Sequence, residues 1–404
     1  MHRGMLSDYF EGVAVKKLRS VETSPDSSNQ HEFNGTAALR GIFGDADREK
    51  IPTRFIWLGS EQEGIASDST IKWYDSRRNH PTRTEYRLYY PDNAVSEMME
   101  AGDTVFVALR KNGEGMIIVT PSETTIQSQL FWLFGLENQP EQEFSSHAIH
   151  GDQDTQIDFA ARYILDELGI ELEGSEDGQL DRLIEPYGLT FPKTSEFSKL
   201  AQDSLPDISP EGDDPDEVLM AWLDREEMLF RRLERRIVSD RLSAGFMQQT
   251  GADVDGFIAF SLSVQNRRKS RAGHALENHL ESIFRARSIS YSRGANTENR
   301  HKPDFLFPSI AAYRDYCFPS SELRMLGSKS TLKDRWRQVL TEAQRIDIKH
   351  LLTLEPAISE HQTDQMKSEQ LQLVVPSRIQ STYRPNQRAW LLSLSNFIDC
   401  VKSG

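Results

Sequence analysis

Apolar and polar positions follow two different patterns along the chain and divide it into two parts. Between residues 12 and 136, short β-branched or aromatic runs are separated by Gly, Asp, Asn or Pro, which is typical of strands joined by turns. The five clearest runs are VAVKKL, TRFIWLG, TEYRLYY, DTVFVAL and GMIIVT. We therefore expect a mainly β first domain, a small barrel rather than a helical unit.

The second part of the chain carries apolar residues at helical spacing. Residues 218–238 and 254–264 predict two helices, and residues 389–401 predict a last one. The charges of the first of these helices have mixed signs and predict a solvated face. Since LLTLEP and LQLVVP add strand-like runs, the second domain is predicted to be α/β or α+β.

An acidic, glycine-containing stretch around EGSEDG separates the two parts and is the predicted linker. It follows a polar segment and a short amphipathic helix predicted at residues 157–168. A second acidic stretch at residues 206–217 predicts a loop. The predicted organisation is a first domain at residues 1–172, a linker at 173–181 and a second domain at 182–404.

One segment of the second part carries the strongest candidate chemistry. Asp304 precedes the apolar run FLF, and a second run, LRML, leads toward Lys329. Both runs predict buried strands, so Asp304 and Lys329 are expected at the ends of two strands. A helical pattern follows and places Glu342 on a helix behind them. The apolar stripe of that helix comprises Trp336, Val339, Leu340, Ala343 and Ile346.

This carboxylate, lysine and second carboxylate resemble the PD-(D/E)XK core of metal-dependent nucleases. The second acid lies thirteen positions after the lysine (342 − 329), a displacement that marks one branch of restriction endonucleases. Carboxylates holding Mg²⁺ can neutralise the charge of a phosphate and orient the attacking water, and lysine adds a compact positive charge. Short motifs have many false positives, and the alternative is that Glu342 is an ordinary solvent-facing residue.

A basic stretch, NRRKSRAG, precedes another predicted helix. Cations at a helix N-terminus oppose the helix dipole, so a role other than helix stability is expected for them. Guanidinium groups there could bind phosphates or bond bidentately to guanine, and a solvated basic loop is an alternative of equal weight. The candidate residues are Asn266, Arg267, Arg268, Lys269 and Arg271.

Two acids on the helix that follows are candidates for a further catalytic carboxylate. Glu277 and Glu281 lie four positions apart and therefore share a helix face. Either could point toward Asp304, and Glu277, which is nearer the basic stretch, is the preferred candidate.

Basic residues are also concentrated among aromatics in WYDSRRNHPTRTEYRLYY, which favours a DNA-facing surface on the first domain. Arg83, Glu85 and Arg87 alternate, so their side chains are expected on one face of a strand. Upstream, HEFNG predicts a polar loop with donors and acceptors for base edges, although most such loops have no such role. The candidates in this part are His31, Asn34, Arg77, Arg78, Arg83, Glu85 and Arg87.

Composition adds two constraints. At 404 residues the chain is long enough for two domains, and its net charge of −15 leaves room only for local positive surfaces. Two cysteines, Cys317 and Cys400, form neither a disulfide framework nor a zinc-binding spacing. The sequence shows no signal-peptide pattern and no membrane span, so a cytoplasmic protein without a membrane partner is expected.

Together these motifs resemble EcoRII-type (type IIE) restriction endonucleases. NRRKSRAG, KPDFLFPS, LRML and KDRWRQ match the family pattern nearly letter for letter and in the same order. The first part agrees more loosely, through the SR of WYDSRR and the spacing of Arg83, Glu85 and Arg87. The resemblance implies an N-terminal effector domain, a pseudobarrel like the plant B3 DNA-binding domains, and a C-terminal α/β nuclease domain of PD-(D/E)XK type.

The resemblance also implies roles for single residues. Target recognition would fall to Arg268 and its neighbours, and effector recognition to the candidates in the first part. Tyr313 and Lys333 also match the family pattern. Tyr313 as a covalent nucleophile is a rival hypothesis, but hydrolysis with Mg²⁺ leaves it no necessary role, so it is interpreted as structural. The implied catalytic residues are Glu277, Asp304, Lys329 and Glu342, whose three carboxylates would bind Mg²⁺.

Family members cut a CCWGG-type sequence as homodimers, flip out the central bases and need a second DNA copy at the effector domain, which otherwise autoinhibits the enzyme. A cognate methyltransferase would protect the host DNA. Pro81 and Tyr86 stand where the family has lysines, and the acidic insert is a further departure, so the effector sequence and the strength of autoinhibition are open. Two alternatives are a nuclease for modified DNA and a non-enzymatic B3-like regulator; competent residues at all four catalytic positions disfavour the latter.

Overall fold

The computed structural model describes residues 6, 9–23, 31–59, 64–136, 144–147, 165, 168, 177–248, 251–332 and 335–403. The chain divides into two compact units. The first unit comprises Met1–Ile157, Tyr163–Gly169 and Pro356–Gln365, and the second comprises Asp158–Arg162, Ile170–Glu355 and Met366–Gly404. Part of the predicted linker and most of the helix predicted at residues 157–168 lie outside the described residues, and the domain limits stay predictions.

An eight-stranded sheet forms most of the first unit. Its strands are β1 (Phe10–Lys17), β2 (Glu32–Asn34), β3 (Arg48–Trp57), β4 (Ile65–Asp75), β5 (Tyr86–Tyr89), β6 (Thr104–Arg110), β7 (Gly115–Thr120) and β8 (Ser145–His147). Their order is β2-β5-β4-β3-β7-β6-β1-β8, antiparallel except for the parallel pair β3 and β7. The five predicted strands are confirmed as β1, β3, β5, β6 and β7. The helices of this part are α1 (Ser20–Thr23), α2 (Ala37–Phe43) and α3 (Thr125–Leu133).

Two of the strands that the sequence pattern did not predict are β2 and β4. The segment HEFNG, expected to be a loop, contains β2, because Phe33 is fully buried and Asn34 pairs with Arg87 of β5. β4 is polar and alternates partly exposed and exposed positions over its first half, and only its second half places Ile71 and Trp73 in the core. A strand with one solvated half lacks the continuous apolar run by which strands are recognised.

Among the described residues, four α-helices precede the sheet of the second unit. They are α4 (Asp177–Ile184), α5 (Thr194–Asp203), α6 (Pro215–Ala244) and α7 (Val254–Ala286), with a hairpin of β9 (Met247–Gln248) and β10 (Gly251–Ala252) between the last two. Asp214 caps α6 by accepting from the backbone N–H of Asp216 at 2.8 Å, and Pro215 occupies the first helical position.

α7 is one continuous helix where two were expected, because the basic stretch contains no Pro and its one Gly, Gly273, is tolerated inside a helix. The basic stretch therefore lies inside a helix and not at its N-terminus. The prediction that these cations oppose the helix dipole is therefore wrong, because they do not lie in the first turn of a helix.

A five-stranded mixed sheet forms the core of the second unit. Its strands, in sheet order, are β11 (Ser292–Arg293), β12 (Phe305–Phe307), β13 (Arg324–Lys329), β14 (Lys349–Thr353) and β15 (Leu371–Val374). β11, β12 and β13 pair antiparallel, whereas β13, β14 and β15 pair parallel. The four predicted strands and the mixed α/β character are confirmed. The remaining helices are α8 (Ile310–Arg314), α9 (Trp336–Val339), α10 (Glu360–Ser368), α11 (Ser377–Gln380), α12 (Pro385–Arg388) and α13 (Leu394–Lys402).

Two of the helix boundaries that differ from the prediction concern Glu342 and the last helix. α9 ends at Val339, so Glu342 lies in a turn beyond the helix, and the next residue, Ala343, has a left-handed φ of 48° that is incompatible with a continuing helix. The last helix begins at Leu394 and not at residue 389, because Ser393 caps it by accepting from the backbone N–H of Asn396 at 3.0 Å. Within the described part of the chain, no helix has the length and apolar character needed to cross a bilayer.

Candidate active site and DNA-binding surfaces

Asp304 and Lys329 meet at one edge of the mixed sheet. β12 and β13 are antiparallel, with Phe305 opposite Leu326, so the residue before β12 lies beside the last residues of β13. Lys329 Nζ is 3.2 Å from Asp304 Oδ2. The same oxygen accepts the backbone N–H of Ser328 at 2.6 Å and its hydroxyl at 3.1 Å. The carboxylate is therefore held in one orientation by three donors, of which sequence reasoning had identified only the lysine.

Glu342 lies close to this pair although it is not on a helix. Burial, followed by the nearby Asp304 carboxylate, raises the pKa of Glu342 to about 7, against the opposing effects of Lys329 and Lys349. An acid that titrates near neutrality beside a second carboxylate is typical of a functional site. Glu342 also lines an open pocket of about 510 Å³, together with His301, Arg337, Gln338 and Thr341.

Glu277 and Glu281 of α7 are engaged by one arginine of β11. Arg293 Nη2 is 2.9 Å from Glu277 Oε2, and Arg293 Nη1 is 2.6 Å from Glu281 Oε2. Among the described residues, no group of three His, Cys, Asp or Glu side chains is arranged to hold a metal. The structure thus brings Asp304, Lys329 and Glu342 together, while Glu277 is paired with Arg293, and its role as a third metal ligand stays a prediction.

The donor set of Asp304 and Glu342 nevertheless fits Mg²⁺. This ion prefers oxygen ligands and commonly takes only one or two carboxylates from the protein, completing its shell with water and phosphate oxygens. Two neighbouring carboxylates meet that requirement without a third protein ligand.

Tyr313 is buried, and its hydroxyl is engaged by neighbouring protein groups. Its hydroxyl donates to Glu298, with both carboxylate oxygens at 2.7 Å, and accepts the backbone N–H of Arg345 at 3.3 Å. Burial and the bond to Glu298 raise the pKa of Tyr313, so its phenolate form is disfavoured. These contacts agree with the structural interpretation of this residue. Lys333, the other position matching the family pattern, lies outside the described residues.

The basic stretch of α7 contacts a row of acids on α6. Arg268 Nε is 2.9 and 2.8 Å from the two carboxylate oxygens of Glu234. Arg271 is buried and pairs with Glu226, at 3.2 Å, and with Glu227. These three acids are themselves buried, so the solvated face expected for this helix is wrong at their positions. Buried charges are paired, and complementary charges on two neighbouring helices are the signal that sequence reasoning missed.

The other members of the basic stretch have different surroundings. The guanidinium of Arg267 lies over the ring of Phe191, 4.5 Å from its centroid. Asn266 is exposed, and the side chain of Lys269 lies outside the described residues. Arg271 is occupied by two buried carboxylates, which assigns it a structural contact, whereas Arg268 is partly exposed.

In the first unit, four of the seven predicted effector residues form one cluster. Glu85 lies between Arg77, whose Nε is 2.5 Å from Glu85 Oε2, and Arg87, which also contacts Asn34 on the adjacent strand. The hydrogen bond from Arg87 is the main reason that the pKa of Glu85 is lowered. A carboxylate that joins two arginines in this way orients both guanidinium groups.

The expected strand alternation of Arg83, Glu85 and Arg87 is wrong, because β5 begins only at Tyr86. The loop before β5 is closed by Asp75, whose Oδ1 accepts the backbone N–H of Glu85 at 2.8 Å and of Arg77 at 2.9 Å. Arg83 is exposed in that loop. The two other candidates pair elsewhere: Arg78 with Asp47 at 3.7 Å and His31 with Asp92 at 3.0 Å.

Tyr86, at a position where a lysine was expected from the family pattern, belongs to the core. Its ring stacks on Trp73 at 5.1 Å with an interplanar angle of 14°. The departure from the family pattern therefore concerns packing at this position, since a buried aromatic ring does not face a nucleic acid.

Comparison with known proteins agrees with the sequence motifs. Residues 230–398 match the family model described as EcoRII C terminal. The type II restriction enzyme EcoRII of Escherichia coli is 41% identical over 231 residues, which cover 57% of this chain and 55% of that protein. The chain therefore matches about half the length of this curated relative. The predicted likeness to EcoRII is confirmed for this part of the chain, which contains all four predicted catalytic residues.

Two solved structures were also compared. One is described as metal-depleted Ecl18kI in complex with uncleaved, modified DNA; it is 18% identical, covers 57% of this chain and 84% of that chain, and has a TM-score of 0.43. The other is a restriction endonuclease PspGI–substrate DNA complex, 17% identical, covering 58% and 100% of the two chains, with a TM-score of 0.42.

Proposed function

From the 41% identity to EcoRII over 231 residues and the match of residues 230–398 to the EcoRII C-terminal family model, we propose that this protein is a type II site-specific restriction endonuclease. It hydrolyses phosphodiester bonds of double-stranded DNA at a CCWGG-like sequence and requires Mg²⁺. The observation that carries the proposal is the pairing of Lys329 with Asp304 at 3.2 Å beside a Glu342 carboxyl whose pKa is raised to about 7. All three residues lie within the part of the chain that matches EcoRII.

The roles follow from the chemistry of these groups. Asp304 and Glu342 would hold Mg²⁺. When bound, the ion neutralises charge on the phosphate and makes a coordinated water more acidic. Lys329 places its ammonium group beside Asp304, where it can orient the attacking water and lower the pKa of that water. Glu277 Oε2 is paired with Arg293, so a role as third ligand would fall to its other oxygen or require loss of this ion pair.

A second copy of this chain is the proposed partner, because one active site cuts one strand and cutting both strands at a two-fold symmetric sequence takes two sites. The first half of α7 supports this partner. Its apolar residues at positions 254, 257, 258 and 262 are 47–61% exposed and share one helix face. A contiguous exposed apolar stripe on a helix is typical of an interaction surface. Paired with its symmetry mate, this stripe would form an isologous interface.

Phe257→Glu is expected to convert the proposed dimer into a monomer. Each interface would receive two buried charges and lose two buried rings, which predicts an increase in the dimer dissociation constant of about a hundredfold or more. Light scattering coupled to size exclusion measures this change. Leu189→Glu, at an exposed leucine outside the stripe, is the control and should leave the mass unchanged. A monomeric wild-type protein, or a dimeric Phe257→Glu variant, would refute this interface.

The first unit is proposed to be a B3-like effector domain that binds a second DNA copy through Asn34, Arg77, Glu85 and Arg87. The two arginines that one carboxylate orients support this proposal. Binding of effector DNA would relieve autoinhibition of the nuclease, provided that it binds the active form more tightly than the inhibited form. A cognate methyltransferase would protect the host genome.

Cleavage of matched plasmids tests the function and the effector role together. With Mg²⁺, the wild type is expected to cut a plasmid with several CCWGG sites and to leave a single-site plasmid intact, and EDTA should stop all cutting. Arg87→Ala is expected to weaken effector binding about tenfold and to slow cutting of the multi-site plasmid. Arg54→Ala, at an arginine of β3 that lies 3.7 Å from Asp68, is the control.

Each outcome of the plasmid experiment has a distinct meaning. Equal cutting of both plasmids would leave the nuclease assignment standing and remove the effector role. No cutting of either plasmid by folded protein would exclude cleavage at unmodified CCWGG. In that case the alternatives are a different or modified sequence, or a protein that binds DNA without cutting it.

A further inference from the structure

One arginine of the basic stretch is held in an orientation in which Glu234 contacts one edge of its guanidinium and leaves the Nη1–Nη2 edge for another acceptor. Arg268 Nε is 2.9 Å from Glu234 Oε1 and 2.8 Å from Oε2, and Arg268 Nη2 is 2.6 Å from Oε2. Among the described residues, the hydrogen bonds and the ion pair of this guanidinium all use Nε or Nη2. Glu234 therefore binds the Nε–Nη2 edge of the guanidinium. The second N–H of Nη2 and the N–H groups of Nη1 form another edge, which Glu234 does not contact.

The Nη1–Nη2 edge has the geometry needed to recognise a guanine base. Two parallel N–H donors of arginine match the O6 and N7 acceptors of guanine in the major groove, the commonest specific contact between protein and DNA. A guanidinium has five donors, so it can bond to a carboxylate along one side and to a guanine at its end. The two partners of Arg268 are compatible.

Burial of Glu234 restricts the movement of the Arg268 guanidinium that it binds. The Glu234 side chain is 3% exposed, whereas that of Arg268 is 39% exposed. A buried carboxylate that lost its partner would be an unpaired charge, so Glu234 strongly favours keeping Arg268. Arg231, 4.0 Å from the same carboxylate, supports it from its own helix. Arginine loses side-chain freedom on binding a base, and a residue that is already immobilised loses less.

We propose that Glu234 is a positioning residue for target specificity, which fixes Arg268 so that its Nη1–Nη2 end contacts a guanine of the recognition sequence. The inference rests on the proposed nuclease function and adds a residue of α6 to the recognition apparatus. It predicts that discrimination between cognate DNA and DNA substituted at one guanine depends on the Glu234 carboxylate.

Glu234→Gln tests this dependence. The amide keeps the size of the side chain but removes the charge and one acceptor, so Arg268 becomes mobile. We expect the ratio of kcat/KM for cognate over guanine-substituted oligonucleotide to fall about tenfold, with the loss mainly in KM for cognate DNA. Glu234→Asp, which keeps the charge but shortens its reach, should lower the ratio in the same direction and is the variant to use if the amide impairs folding.

Two further variants provide controls. Asp181→Asn alters a pair of the same side-on geometry, in which Arg232 Nε and Nη2 are each 2.7 Å from the carboxylate, outside the basic stretch. It should leave discrimination unchanged. In an Arg268→Ala background, Glu234→Gln should change discrimination no further, because the residue through which it acts is absent.

The outcomes separate this inference from the proposed function. If the wild type neither binds nor cuts cognate DNA, the proposed function fails, and the inference with it. If the wild type discriminates and the Glu234 variants retain its full ratio, only the inference is refuted. If Glu234→Gln tightens binding to cognate and unrelated DNA alike, Glu234 competes with DNA for Arg268 and does not position it, which also refutes the inference.

Discussion

Lys329→Ala is expected to abolish DNA cleavage while leaving specific DNA binding largely intact. The ammonium lies 3.2 Å from Asp304 Oδ2, at the edge of the sheet where the phosphate would be hydrolysed. Removing a positive charge that is preorganised at the developing negative charge slows such reactions by about 10²–10³-fold, and the loss of the water-orienting group adds to this. Single-turnover cleavage of a cognate oligonucleotide measures the chemical step, and fluorescence anisotropy in the absence of Mg²⁺ measures binding.

The matched control is Lys199→Ala, which removes an exposed lysine paired with Asp203 on α5. Its cleavage rate should equal that of the wild type. Cleavage by Lys329→Ala at the wild-type rate would overturn the assignment of the active site. A loss of binding that equals the loss of cleavage would instead make Lys329 a DNA-binding residue.

Glu342→Gln is expected to have two opposite effects: loss of cleavage and a gain in the stability of the metal-free protein. The first follows because an amide is a poor substitute for a carboxylate as a Mg²⁺ ligand. The second follows because burial raises the pKa of Glu342 to about 7, which means that the folded protein disfavours its ionised form. Functional groups held in such environments commonly reduce stability.

The pH dependence of the stability effect has a defined sign. Below the ordinary pKa of a glutamate, Glu342 is protonated in both the folded and the unfolded chain and contributes no difference. As the pH rises toward about 7, the unfolded chain loses this proton first, so the folded state is progressively penalised, and above about 7 the penalty is complete. Urea unfolding in EDTA should therefore show Glu342→Gln more stable than wild type by about 1–3 kcal/mol at pH 8, with no difference near pH 4.

Glu322→Gln, at an exposed acid, is the control for this measurement and should show no such pH-dependent gain. Equal stability of Glu342→Gln and wild type at pH 8 would contradict the raised pKa. Full cleavage by Glu342→Gln would contradict its role as a metal ligand, whatever the stability.

Local sequence was sufficient for the framework of the candidate active site. FLF and LRML are apolar runs flanked by polar residues, and a short apolar run specifies a buried strand through its own composition. Because Asp304 and Lys329 adjoin those runs, their positions at strand ends were predictable, and the antiparallel pairing of β12 with β13 brings them together. The likeness to EcoRII was likewise visible in the motifs, because it depends on residue identity and order.

The sequence by itself therefore determined the strands that carry the candidate site, the order of the motifs and the identity of the candidate catalytic pair. Only the tertiary structure decided the partners of the charged residues. Glu234 and Arg268 are thirty-four positions apart (268 − 234), and Arg293 engages Glu277 from another element. The pKa of Glu342 is raised first by burial in the folded chain and then by the nearby Asp304 carboxylate. Burial and pairing of a charge depend on which helices and strands pack together, and no local pattern records that choice.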